Sequence, residues 1–130
     1  MRLNAIEVVT LFVEDIAAAK AFYQKVFAAE IIGEDPVSAL LRFSGAMLNL
    51  LAASQAPELV TPSPVGAAAS GARMLLTVRV DDVNATYAEL QSRGVTFLNG
   101  PMDRHWGRRT AAFPDPSGHV WEIAQEISAG

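Results

Sequence analysis

Residues 10–24, TLFVEDIAAAKAFYQ, and residues 77–91, TVRVDDVNATYAELQ, are two versions of one pattern, and comparing them decides how the chain is read. Sliding the chain by 67 positions sets Asp15 on Asp82, and with it Thr10 on Thr77, Val13 on Val80, Ala18 on Ala85, Ala21 on Ala88 and Gln24 on Gln91. Glu14 falls on Asp81 and Ile16 on Val83 at the same offset. One coincidence carries no weight, but a set of matches at one offset is the signature of an internal duplication. Between the copies runs Ala52 to Ala72, rich in Ala, Pro, Ser and Gly and charged only at Glu58, which is the composition of a connecting loop. The predicted organisation is a single domain over residues 1–130, with a first module at 1–51, a linker at 52–72 and a second module at 73–128.

Working outward, both copies share a local grammar. Ile6 to Val13 alternates and is rich in β-branched and aromatic residues, which predicts a half-buried strand. Asp15 then offers a side-chain oxygen to a helix start, and Ile16, Ala19, Tyr23, Val26 and Phe27 recur at helical spacing as one apolar stripe. The second copy repeats this with Met74 to Val80 as strand, Asp82 as cap and Val83, Tyr87 and Leu90 as stripe, closed by Gly94. Three shorter strands are expected after each helix. In the first copy they are Ala29 to Gly33, Val37 to Phe43 and Ala46 to Leu51, and in the second Val95 to Leu98, Arg108 to Phe113 and His119 to Glu126. Asp35-Pro36, Ser44-Gly45 and Asp115-Pro116-Ser117-Gly118 supply turn chemistry between them. The fold class that follows is α+β, two βαβββ modules with one helix laid on each mixed or antiparallel sheet.

The chain as a whole sets bounds on function. At 130 residues and 51% hydrophobic content it can fill the core of one compact domain. It has no cysteine, which excludes disulfides and thiolate metal sites and fits a reducing, cytoplasmic setting. No apolar run approaches the roughly 18 residues of a membrane span, and Met1 to Asn4 leads directly into a strand-like segment, so a soluble protein without membrane contact is expected. A net charge of −4 with scattered basic residues offers no footprint for nucleic acid.

Four stretches carry a resemblance: Leu11 to Asp15, Ala21 to Tyr23, Trp106 to Arg109 and Phe113 to Ile123. Together they resemble the vicinal oxygen chelate superfamily, which includes glyoxalase I, extradiol dioxygenases, fosfomycin-resistance enzymes and bleomycin-resistance binding proteins. The resemblance implies curled sheets around a small-molecule cavity and a homodimer, with the 52–72 loop compatible with modules pairing within one chain or across two. One scaffold hosts many activities, so the resemblance alone does not assign a reaction.

In metal-using members of that superfamily the resemblance places ligands at four strand positions. Two lie seven residues ahead of the capping aspartates, at Val8 and Leu75, and two lie four residues beyond turn glycines, at Asn49 and Glu122. Hydrocarbons cannot ligate a divalent ion, and a one-residue slip to Glu7 would turn the whole first strand inside out. The expectation is therefore no metal and no other cofactor.

If Val8 faces the cavity, alternation sends Thr10 and Phe12 there as well. The same parity sends Leu75, Thr77 and Arg79, then Met47, Asn49 and Leu51, and then Val120, Glu122 and Ala124 to that face. His105 and Trp106, in the loop before the seventh strand, are expected at the cavity mouth, with Trp106 offering a flat face for stacking. Only one of Arg108 and Arg109 can face inward; the strand pattern admits either, and Arg109 joins the expected ligand-binding set. Arg79 and Glu122 either neutralise each other or hold ligand groups of opposite charge, and Glu122 is also the candidate general base. His119 is expected at a surface or turn position, and Trp121 and Tyr23 in the core. The leading expectation is metal-independent binding of a small organic, antibiotic-like or aromatic ligand rather than catalysis. Two alternatives stand beside it: a metal-dependent glyoxalase, lyase or dioxygenase, and a metal-free enzyme using Glu122 as base.

Overall fold

A computed structural model describes residues 1–127 of the chain; Ser128, the last residue of the expected second module, lies outside them. The chain divides into two compact units between Ala67 and Ala68, inside the expected linker. That segment is not a plain loop. It carries a 3-10 turn at Ala53–Gln55, a short helix and a second 3-10 turn at Ala68–Ser70, and Ala56 is fully buried.

The first unit runs β1 (Val8–Val13), α1 (Ile16–Phe27), β2 (Ile31–Asp35), β3 (Ser38–Leu41) and β4 (Met47–Ala52), followed by the short α2 (Pro57–Val60). Its sheet has the order β1-β4-β3-β2, parallel between β1 and β4 and antiparallel elsewhere. Asp15 starts α1 as the sequence predicts, its Oδ1 accepting a hydrogen bond from the Ala18 amide at 3.0 Å. The helix lays Ala19, Tyr23 and Val26 toward the sheet, where Leu11, Val13, Ala39, Leu41, Leu48 and Leu50 are buried. Tyr23 stacks on Phe27 with centroids 5.4 Å apart, and Phe27 meets Phe43.

The second unit runs β5 (Leu75–Arg79), α3 (Val83–Ser92), β6 (Asn99–Arg104), β7 (Arg108–Pro114) and β8 (Val120–Glu126), in the sheet order β5-β8-β7-β6. Asp82 repeats the cap of Asp15, accepting from the Ala85 amide at 3.0 Å. Val83 and Leu90 of α3 are buried, as are Ala111, Phe113, Trp121 and Ile123 of the sheet. Both units are therefore βαβββ, and the α+β architecture inferred from the repeat is the one observed.

The sixth strand lies elsewhere than expected. Val95 to Leu98 does not form it; β6 begins at Asn99 and passes through Gly100 and Pro101, with an irregular register between Asn99 and Met102. Two of its apolar residues serve the core instead, with Val95 buried and Phe97 packed between Tyr87 and Phe113, while Leu98 is exposed. Pro and Gly normally exclude a segment from a strand, but an irregularity on an edge accommodates them. The first strand is also shorter than expected, because Ile6 precedes it and is exposed.

β8 is set in place by the turn before it. Asp115 is buried, and its Oδ1 accepts from the amides of Ser117 and His119, both at 2.9 Å, while its carbonyl accepts from Gly118. Arg73 reaches across to donate to the Ser117 carbonyl. His119 is thus a turn residue, though a buried one rather than a surface one.

Two backbone positions test this architecture. Ala28, exposed at the end of α1, occupies the left-handed region with φ of 52°, where a side chain costs about 1–2 kcal/mol. Ala28→Gly is expected to raise unfolding free energy by about 1 kcal/mol in urea denaturation. Gly100 has φ of 87°, and a Cβ there would collide with the Thr110 carbonyl oxygen and sit 2.7 Å from Ala111 Cα. Gly100→Ala is expected to lose more than about 1 kcal/mol in the same assay; equal stability would contradict the close approach of β6 to β7.

Candidate functional site

Alternation divides every strand between a face that meets the helix and a face that does not. In the first unit the helix-side residues of β1 are Leu11 and Val13, while Val8, Thr10 and Phe12 are exposed or half-buried on the other side. The parallel register sets Val8 beside Met47, Thr10 beside Asn49 and Phe12 beside Leu51. Leu40 of β3 continues the row next to Asn49. Across β1, β4 and β3 this open face is apolar apart from Thr10, Asn49 and Ser38, and its charge lies at the β2 edge, where Asp35 pairs in register with Ser38.

In the second unit the open face holds a hollow of about 310 Å³. Leu75, Leu98 and Val120 form its apolar wall with Met74 and Ala72, and Asn99, Arg104 and Glu122 supply its polar groups. Its geometry follows from register: Thr77 on β5, Glu122 on β8, Ala112 on β7 and Asn99 on β6 form one row across all four strands. Ala112, the smallest side chain of the row, opens the space between its two ends. Glu122 is half-buried, and one carboxylate oxygen accepts from Thr77 Oγ1 at 3.0 Å. Trp121 and Ile123, its chain neighbours, are buried on the helix side, as alternation requires.

Arg104 is the residue that reading the sequence missed. Its Nε donates to Thr110 Oγ1 at 2.9 Å and its Nη2 to Asn99 Oδ1 at 3.4 Å, so the side chain lies along the sheet toward the Asn99 row. The signal was present but displaced. A strand expected over Val95 to Leu98 leaves Arg104 in a loop with no face, whereas β6 runs from Asn99 to Arg104.

The register also decides between the two neighbouring arginines. Arg108 pairs in register with Glu126 and shares the open face with Glu122; its guanidinium is bound to the Glu126 carboxylate at 3.0 Å. Arg109 pairs in register with Gln125, whose Oε1 accepts from the Val83 amide at the start of α3, so Arg109 stands on the helix side. It binds Asp103 at 2.7 Å. Arg109, expected in the ligand-binding set, is therefore placed away from the hollow, because β7 carries it at the other parity.

Of the remaining expected residues, Thr77 and Arg79 are exposed on the open face of β5. The suggested neutralising pair of Arg79 and Glu122 is not formed among the described residues; Arg79 sits one row on, beside Ala124. His105 and Trp106 occupy the turn joining β6 to β7, edge to face at 4.7 Å, and neither lines the hollow. Trp106 is 60% exposed, and its connection to the hollow runs through Arg104, whose guanidinium carbon is 6.0 Å from its ring centroid.

Of the four positions that the resemblance assigns to ligands, the first unit supplies Val8 and Asn49 and the second Leu75 and Glu122. Among the described residues no three His, Cys, Asp or Glu side chains converge. In the first unit these positions hold a hydrocarbon and an amide and in the second a hydrocarbon and one carboxylate, so neither pair supplies the several donors that a divalent ion needs.

The family model described as the Glyoxalase/Bleomycin resistance protein/Dioxygenase superfamily matches residues 5–123. An uncharacterized protein of Mycobacterium bovis is 31% identical over 90% of this chain and 80% of its own length. Among solved structures, a glyoxalase/bleomycin resistance protein/dioxygenase from Nocardioides superposes with a TM-score of 0.84 at 24% identity, covering 100% of this chain and 88% of that one. TnmS3, an antibiotic binding protein from Streptomyces sp. CB03234, gives a TM-score of 0.72 at 29% identity over 97% of this chain and 98% of its own. Among the described residues no helix is long and apolar enough to cross a membrane.

The Asp103–Arg109 pair yields a titration test. The hydrogen bond from Arg109 holds the Asp103 carboxyl below the usual aspartate range, and Asp103 in turn raises the Arg109 guanidinium. A depressed folded value means that the pair's contribution is present above the unfolded aspartate value and lost as pH falls through the folded one. Carboxyl NMR titration is expected to show Asp103 returning toward the ordinary range in Arg109→Gln and, partially, at high salt. An unchanged Asp103 titration in that variant would remove the ion pair from the description.

Proposed function

This chain belongs to the Glyoxalase/Bleomycin resistance protein/Dioxygenase superfamily, and from that premise we propose that it binds a small organic ligand on its open sheet face without a divalent metal. The observation that carries the reading is the donor set. At Val8 and Leu75, where metal-using relatives need a ligand, the side chains are hydrocarbon, and the remaining position is an amide, Asn49, in the first unit and a single carboxylate, Glu122, in the second. The hollow of the second unit supports it further. Its volume of about 310 Å³ and its apolar wall with a few polar groups follow the usual construction of small-molecule sites. The likeness to an antibiotic binding protein at 29% identity adds a precedent for binding within the same fold.

A second reading takes Glu122 as a general base in a metal-free reaction. It is favoured by the carboxylate's place at the hollow with the Thr77 hydroxyl fixing one oxygen. Under this reading a pH-dependent turnover would vanish in Glu122→Gln.

Metal analysis of protein purified without chelators is expected to find no stoichiometric ion, and added Ni, Zn, Mn or Fe(II) to leave the thermal midpoint unchanged. A panel of charged and uncharged aromatic compounds, titrated in EDTA and followed by amide NMR, is expected to move the resonances of Leu75, Ala112, Val120 and Glu122 saturably. Stoichiometric metal that disappears in Glu122→Ala would overturn the proposal, as would a panel that shifts nothing at these residues.

A further inference from the structure

Arg104 and Glu122 line the same hollow, yet among the described residues no ion pair joins them. Three other arginines of the second unit do have carboxylate partners: Arg108 binds Glu126, Arg109 binds Asp103 and Arg93 binds Glu89. At the hollow each charge is held by neutral groups instead. Glu122 accepts from the Thr77 hydroxyl, and Arg104 donates to the Thr110 hydroxyl and the Asn99 amide oxygen.

The separation is built into the sheet. Asn99, which anchors the guanidinium, and Glu122 lie in one row on β6 and β8, with β7 between them. Neighbouring strands are about 4.8 Å apart, so Asn99 and Glu122 stand about 10 Å apart at the backbone. Ala112 at the midpoint offers only a methyl group, and Thr110, which binds Arg104 Nε, is 1% exposed and so holds its end of the tether at a buried hydroxyl. The two hydrogen bonds use two of the five N–H groups of the guanidinium, leaving three for a partner. A cation and an anion are thus kept on opposite sides of an apolar floor.

We propose that this hollow takes a small dipolar compound. Its anionic group would sit on Arg104, its cationic or hydrogen-bond-donating group on Glu122, and its flat apolar body over Ala112 between Leu75, Leu98 and Val120. The proposal rests on the reading that the hollow binds an organic ligand without a metal, and it names the class of ligand. Arginine suits the anionic end because its planar donors match a carboxylate, and a charge-assisted bond at each end outweighs either alone.

The test uses three probes with one body: 4-(aminomethyl)benzoate, which carries both charges, 4-methylbenzoate, which carries only the anion, and 4-methylbenzylamine, which carries only the cation. Affinities are measured on the full chain in EDTA by calorimetry, with amide NMR to locate binding. The dipolar probe is expected to bind at least about ten-fold tighter than either singly charged one. Arg104→Gln is expected to reduce it to the level of the amine, and Glu122→Gln to the level of 4-methylbenzoate. Arg104→Lys, which keeps the charge, is expected to retain part of the gain, and comparing the probes on the unmodified protein needs no variant to fold. Three probes of equal affinity would overturn the dipolar assignment, as would failure of all three to perturb the hollow. If the wider aromatic panel still binds, only this assignment falls; if that panel is silent as well, the metal-free binding reading falls with it.

Discussion

Everything at the candidate site depends on how β8 enters its sheet. Asp115, buried in the turn before it, accepts two backbone amides with one oxygen, and those bonds fix the residue at which the strand begins. From that start, alternation sends Trp121 and Ile123 to the helix and Glu122 to the open side. A shift by one residue would bury the carboxylate among hydrocarbons and push an indole into water, and both changes are strongly unfavourable. The core therefore enforces the placement of Glu122, although Glu122 contributes nothing to the core.

The same logic explains what could be read from the sequence. The offset that superimposes Asp15 on Asp82 exposed the duplication, and the two caps, the two helices and most strands followed from it. Parity placed Thr10, Asn49, Thr77 and Glu122 on open faces, because those strands are regular and a period of two leaves only one choice once the buried set is fixed. Reading failed where the period breaks. Val95 and Phe97 look like a strand because they are apolar and aromatic, but they serve as plugs between helix and sheet. The true β6 is polar, contains Gly100 and Pro101, and slips in register, so no alternation could be counted along it.

That slip had a consequence for the site. Arg104 could not be assigned a face without β6, and the choice between Arg108 and Arg109 could not be made without the β7–β8 register. Composition says that arginines are present near a histidine and a tryptophan; only pairing says which of them is already neutralised. Arg108 and Arg109 each have a carboxylate within 3.0 Å, whereas Arg104 has hydroxyl and amide oxygens. The strand pattern leaves Arg108 and Arg109 as alternatives, whereas the arginine that lines the hollow is Arg104, on the preceding strand.

The duplicated row has a further meaning for how such a protein changes over time. Thr10 beside Asn49 and Thr77 beside Glu122 are one location in two copies, neutral in the first and anionic in the second. Neither member touches the packing that stabilises its own half, since Leu11, Leu50, Val78 and Ile123 occupy the alternate positions. The alternate residues of these strands answer to folding, whereas Thr10, Asn49, Thr77 and Glu122 are exposed or half-buried and answer less to it. Divergence can then rewrite the chemistry of one copy by single substitutions while its twin, and the architecture of both, stays as inherited.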